Sequence, residues 1–390
     1  MNNKNNGTLK TILYYIAFIG LGLGVGILGP SLLRLAENTG TTIGQVSAMF
    51  FFHALGYMIG AFFGGRSFDR IAGHPIMSVM LVVIAICLAI IPGINALWAL
   101  VALLLFLGIS QGTLDAGGNT LIVWVYGSKV GPFMNGLHFF FGIGAFLSPI
   151  LIAQSIRVQD SLNLAYWGMA AFMLIPAVGL LFLRSPSQTD GENDPVKNTG
   201  INDRLLLGMC VVFIMFYLGM QGGFTGWLAT YATTTNLLTE ASAAYANSLF
   251  WGVFTLGRLL SIPIAFKLRP RQVLTIDLAG CMVSVLVLLL WQGSVAVLWI
   301  SIVGTAFFAA PLFPTMVAFA ENRMRLTGRT TSMFLVGGSV GSMFFPWLTG
   351  LLYEKVGPPI VPVMIAVSGT FLLLIFVALV KKFPGKVQGD

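Results

Sequence analysis

Moved along itself by 197 positions, the chain lays its glycines and prolines on one another: Gly22, Gly26 and Gly29 fall on Gly219, Gly223 and Gly226, Gly60 on Gly257, Gly131 on Gly328, Gly144 on Gly341 and Pro149 on Pro346. Residue types that set backbone geometry have kept register while ordinary side chains have drifted. That pattern is expected of two copies of one helical bundle that share the same close helix contacts. Any fold for this chain must therefore be built twice.

The medium of the fold follows from composition, because 57% of the residues are hydrophobic and only 9% charged. A soluble surface carries charge on roughly a quarter of residues, so this chain belongs in a bilayer. Apolar stretches near the ~20 residues needed to cross one occur over 10–34, 43–65, 74–94, 96–124, 131–155 and 162–183. A second set runs over 205–234, 241–266, 272–291, 295–320, 328–353 and 359–380. The expected fold is an all-α membrane protein with twelve transmembrane helices in two pseudo-symmetric six-helix halves, 1–184 and 204–390. Residues 185–203 form a flexible cytoplasmic linker, since they hold Pro186, Gly191, Pro195 and Gly200 among Asp190, Glu192 and Asp194. Two parallel repeats of this kind make a carrier whose solute sits between them.

Orientation comes from the basic residues. With both termini cytoplasmic, 17 of the 21 Lys and Arg lie on the cytoplasmic side; Arg34, Arg157 and Lys355 lie on the other, and Arg258 falls inside a span. The asymmetry predicts an integral protein of the plasma (cytoplasmic) membrane with both ends inside. The net charge of +8 is then topological in origin, and no soluble basic face remains for nucleic acid. The apolar run after Thr11 is too long for a signal peptide and passes into Pro30 without a small-residue cleavage site, so it is the first span. Cys87, Cys210 and Cys281 stand singly in apolar runs, which offers neither a disulfide framework nor metal-ligand spacing. No cofactor or metal is expected. An enzyme is not expected either, because none of the three His pairs with a Cys or with paired acids.

Between the second and third spans lies Gly65, followed by Asp69, Arg70, Ala72 and His74. This segment resembles the loop signature of the major facilitator superfamily, G-x-x-x-D-R-x-G-x-K/R, with Ala72 and His74 replacing the second Gly and the final base. An Asp and an Arg at a helix end can latch a neighbouring helix terminus, so Asp69 and Arg70 are candidate gating residues. The duplicate segment, Ile262 to Arg271, has lost the Gly and the Asp, which makes any latch asymmetric. Leu137 through Pro149, Asp115 through Asn119, and Tyr217 through Gln221 with Gly226 and Trp227 are similar to the branch containing sodium-dependent glucose transporters and fucose permeases. The resemblance implies a major facilitator fold and alternating-access transport of a small-molecule solute, a neutral sugar foremost, often coupled to Na⁺ or H⁺. Two acids that relatives carry are replaced here by Gly26 and Gln221. The alternative is a proton-coupled drug or metabolite antiporter. Its motif L-x-x-x-R-x-x-Q-G would need an Arg where Leu104 through Gly112 places Gly108.

Candidate site residues follow from polar groups embedded in apolar spans. Asp115 lies mid-span, where a charge costs ~2.5–3.5 kcal/mol and usually faces a polar cavity. Gln111 and Asn119 are one turn away on either side. Carboxylate and amide oxygens bind hard cations or accept sugar hydroxyls, so Asp115 is also the candidate for cation coupling. Gln221, Trp227, Asn247 and Trp251 combine aromatic faces with amides, as a pyranose requires; both Trp side chains equally suit packing or an interfacial belt. His53, with Tyr57 one turn on, and His138, with Asn135 near its face, add embedded imidazoles for solute contact or interhelical bonding. Arg258 and Asp277 lie at similar depth and are expected to pair as an inner gate. The remaining expectations are a lipid bilayer around the chain, a monomer, and Na⁺ or H⁺ as the coupling ion where transport is coupled.

Overall fold

The computed structural model describes residues 3–68, 70–187, 204–265, 267–324 and 328–384. Twelve helices in it are long and apolar enough to cross a membrane. In order they are Gly7–Gly26, Ile43–Ser67, Gly73–Gly93, Leu97–Tyr126, Gly131–Gln159, Asn163–Leu181, Arg204–Thr234, Glu240–Ala265, Pro270–Leu290, Val295–Glu321, Ser332–Val356 and Ile360–Lys382, the first to twelfth spans. An even number of crossings returns the chain to the side where it began, here the terminal side. Asp69 and, from residue 188, the expected linker lie outside the described residues. Large apolar side chains such as Phe106, Val283 and Ile300 point outward from the bundle, as a lipid-facing surface requires.

Proline decides where spans break. The first apolar run is interrupted at Ile27, between a helix ending at Gly26 and a second helix, Leu28–Thr39. Pro30 supplies no N–H for the Gly26 carbonyl, and its ring crowds that carbonyl. The expected single span of 10–34 is therefore a span plus a separate helix that carries Arg34. The tenth span breaks likewise, between Val295–Ala309 and Leu312–Glu321, where Pro311 and Pro314 follow each other. Near its end the second span widens into a π-helical turn, Gly60–Gly64, before a last α-helical turn, Gly65–Ser67.

The register of the repeated glycines now has a cause. A Cβ on Gly22 would strike the Phe141 carbonyl, and one on Gly144 the Ile19 carbonyl, so the first and fifth spans touch backbone to backbone. In the copy, between the seventh and eleventh spans, Gly341 meets the Met215 carbonyl backbone to backbone, whereas Gly219 lies under the Phe345 ring. In both halves the first helix also packs on the sixth, the second on the fourth and the third on the sixth. The halves are joined by the fifth span on the eighth, the second on the eleventh, and Leu28–Thr39 on the seventh.

A cluster of polar contacts between the halves lies away from the terminal side. Arg34 donates from Nε to both Glu240 oxygens, at 2.9 and 3.1 Å, and from a terminal nitrogen to Glu240 at 2.8 Å. The same terminal nitrogen binds Asp160, which caps the fifth span. The Thr42 hydroxyl donates to Glu354, and Gln154 Nε2 to the Tyr245 hydroxyl at 2.6 Å. These contacts fasten the bundle on the side away from the termini, and the space between its halves extends toward the terminal side, where Ile262 and Leu335 near the ends of the eighth and eleventh spans line it.

Candidate substrate cavity

That space is a cavity of about 800 Å³, within the 300–1,000 Å³ range of small-molecule sites. One wall, from the first half, contributes His53, Tyr57, Asp115, Asn135 and His138. The facing wall contributes Gln221, Thr225, Asn247, Trp251 and Arg258.

Two interlocked pairs of glycines build the polar part of the first wall. Gly56 and Gly60 press on the Leu105 and Ile109 carbonyls of the fourth span, while Gly108 and Gly112 press on the His53 and Tyr57 carbonyls of the second. Small residues spaced by four let two helix backbones meet. Side chains one turn apart on each helix then form two parallel rungs. His53 Nε2 meets Gln111 Oε1 at 2.6 Å, and the Tyr57 hydroxyl donates to Asp115 Oδ2 at 2.8 Å. Asn119 Nδ2 donates to Asp115 Oδ1 at 3.0 Å. The central carboxylate is therefore held by a donor on each oxygen while still facing the cavity.

The second wall is aromatic with amide punctuation. Trp251 meets Phe141 of the other half edge-on, with centroids 6.3 Å apart, and Phe254 of its own helix at 5.7 Å. Asn247 Nδ2 donates to the Thr225 carbonyl at 2.7 Å, and its Oδ1 is left without a partner although the residue is only 1% exposed. Gln221 lies one turn before Thr225, whose hydroxyl donates to the Gln221 carbonyl. His138 meets Phe18 edge-on.

Four expected roles change. Gln111 and Asn119 do not line the cavity; they stand behind it and orient His53 and Asp115. Trp227 is fully buried away from the cavity, because its Nε1 donates to the Pro346 carbonyl at 2.9 Å and its ring stacks on Tyr353. It packs the seventh span on the eleventh and is no sugar platform in this structure. Arg258 and Asp277 form no ion pair, all salt bridges among the described residues belonging to Arg34. Arg258 turns instead into the cavity, with its guanidinium carbon 4.7 Å from the Phe254 ring centroid, while Asp277 is buried outside it with Oδ2 unpartnered. Arg70 is exposed on the terminal side. Tyr57 was missed as a site residue, although its one-turn spacing from His53 matches that of Gln111 and Asp115. Arg34 and Glu240 were missed as a gate, their meeting being a property of the assembled halves.

A family model described as Major Facilitator Superfamily matches residues 14–344. The chain is 31% identical over 374 residues to sodium-dependent glucose transporter 1A of Mus musculus, spanning 87% of this chain and 88% of that one. It is 29% identical over 389 residues to sodium-dependent glucose transporter 1 of Homo sapiens, spanning 90% and 74%. The solved structure of the nucleoside transporter NupG superposes with a TM-score of 0.73, covering 98% of this chain and all of that one at 12% identity, a likeness of fold alone.

Proposed function

This chain belongs to the Major Facilitator Superfamily, and from that premise we propose that it moves a neutral sugar by alternating access, as a secondary active or facilitative carrier. The observation that carries the reading is the cavity between the halves, with hydroxyl-binding groups on both walls and Trp251 as an aromatic face. A pyranose needs both, since its C–H face stacks while its hydroxyls demand partners. The names of the relatives support the sugar class. In the present state the solute would enter and leave on the terminal side, which the distribution of Lys and Arg makes cytoplasmic in a plasma membrane. The other state requires Arg34 to release Glu240 and the terminal side to close. Asp115 is the carboxylate on the cavity wall, so Na⁺ or H⁺ coupling, where it operates, passes through that group. The protein works as a monomer, each chain holding a complete cavity.

The antiporter alternative is disfavoured by Gly108, which presses on the His53 carbonyl and leaves no room for the arginine of the drug-export motif. Uptake into proteoliposomes decides between them. Under imposed Na⁺, H⁺ or no gradient, a panel of hexoses, nucleosides and lipophilic cations should give accumulation or exchange of a hexose. If lipophilic dyes are moved and hexoses are not, the antiporter reading replaces this one.

A further inference from the structure

Arg258 is a cation on the cavity wall to which the protein gives no carboxylate. Its Nε is buried without a hydrogen-bond partner, and its near contacts are neutral, the Phe254 ring and the Tyr217 hydroxyl. Asp115, on the facing wall, already accepts on both oxygens. Asp277 is outside the cavity and unpaired. A guanidinium in the middle of a membrane bundle is costly unless something negative answers it, and its planar fork matches a carboxylate. The same helix face carries Asn247, Trp251 and Arg258 into the cavity. At ~1.5 Å per residue, Trp251 and Arg258 are about 10 Å apart along the axis, a gap that one arginine side chain and one six-membered ring fill.

We propose that Arg258 is a specificity-determining residue that receives the carboxylate of an acidic monosaccharide, a hexuronate, whose ring lies against Trp251 and whose hydroxyls reach Asn247 and Gln221. A single Arg facing the carboxylate of Asp115 favours a monoanion over a sugar phosphate dianion, which Asp115 would repel. The inference rests on the sugar reading above and adds a charge to it.

The test is uptake of D-glucuronate and D-glucose by the full chain in the same proteoliposomes, with glucose 6-phosphate as competitor. Glucuronate should have a KM about tenfold or more below that of glucose, as loss of one charge-assisted hydrogen bond implies. Arg258→Gln should raise the glucuronate KM by that factor, at least about fivefold more than it changes the glucose KM; Arg258→Lys should recover part of the difference. Should the variant fail to fold, thermal stabilisation of the purified wild-type chain by glucuronate but not glucose gives the same answer. The proposal is overturned if glucose is transported and glucuronate neither competes nor stabilises. Equal loss of both substrates in Arg258→Gln, or tighter competition by glucose 6-phosphate, also overturns it. Uptake of neither sugar removes the sugar reading itself, and this inference with it.

Discussion

At the scale of single residues, Asp115 is held by the Tyr57 hydroxyl on one oxygen and the Asn119 amide on the other. Asp115→Asn keeps an acceptor for Tyr57 but turns an NH₂ toward the NH₂ of Asn119, a loss of about 1 kcal/mol. The variant should fold and exchange solute by counterflow, yet lose any dependence of uptake on an ion gradient. Full gradient-driven accumulation in the variant would remove Asp115 from coupling. For the other charges, Arg258→Asp and Asp277→Arg should each impair transport, and their double reversal should bring no recovery, because the two groups do not meet in this structure. Recovery in the double variant would mean that they pair in the other state. The polar residues themselves could be found in the sequence, since an embedded Asp, His or Arg stands out against apolar neighbours. Their partners could not. Whether Trp227 faces solute or packing depends on a carbonyl of Pro346, over a hundred positions away.

At the scale of helices, the glycine register seen in the sequence has become a set of backbone contacts. Gly112 is the sharpest case, lying against the Tyr57 carbonyl beside the rung that holds Asp115. Gly112→Val should part the second and fourth spans, lower thermal stability by about 1–3 kcal/mol and abolish uptake. Gly168 has nothing near its absent Cβ, so Gly168→Ala should be neutral or stabilising by up to about 1 kcal/mol. Equal effects of the two, measured by thermal unfolding in detergent, would break the link between repeated glycines and helix contact. The twelve spans were legible because length and apolarity set them. The break at Ile27 was harder to see, as hydropathy runs straight through Pro30 and only the missing N–H marks it.

At the scale of the whole molecule, the closed side is fastened by Arg34, which reaches Glu240 of the other half and Asp160 of its own. Arg34→Gln leaves a weaker neutral bond and should shift the population toward opening on that side, by a factor of roughly 5–30 if the clasp contributes 1–2 kcal/mol. Labelling by an impermeant maleimide of a cysteine introduced at Ser47, which is buried between the halves in this state, would report the shift. Arg34→Glu with Glu240→Arg should restore only part of the original labelling rate, because Asp160 then faces a carboxylate, while additive effects of the two changes would mean that the pair does not govern opening.

Arg34, Glu240 and Asp160 are all partly open to water, at 23%, 22% and 78% of their side-chain surface. Their attraction is therefore weakened by dissolved ions, whose screening length falls from ~30 Å at 0.01 M to ~8 Å at 0.15 M. The resting orientation of an empty carrier is then set partly by the salinity of the medium bathing one face. Dilute surroundings hold that door shut and brackish ones loosen it, before any solute has arrived.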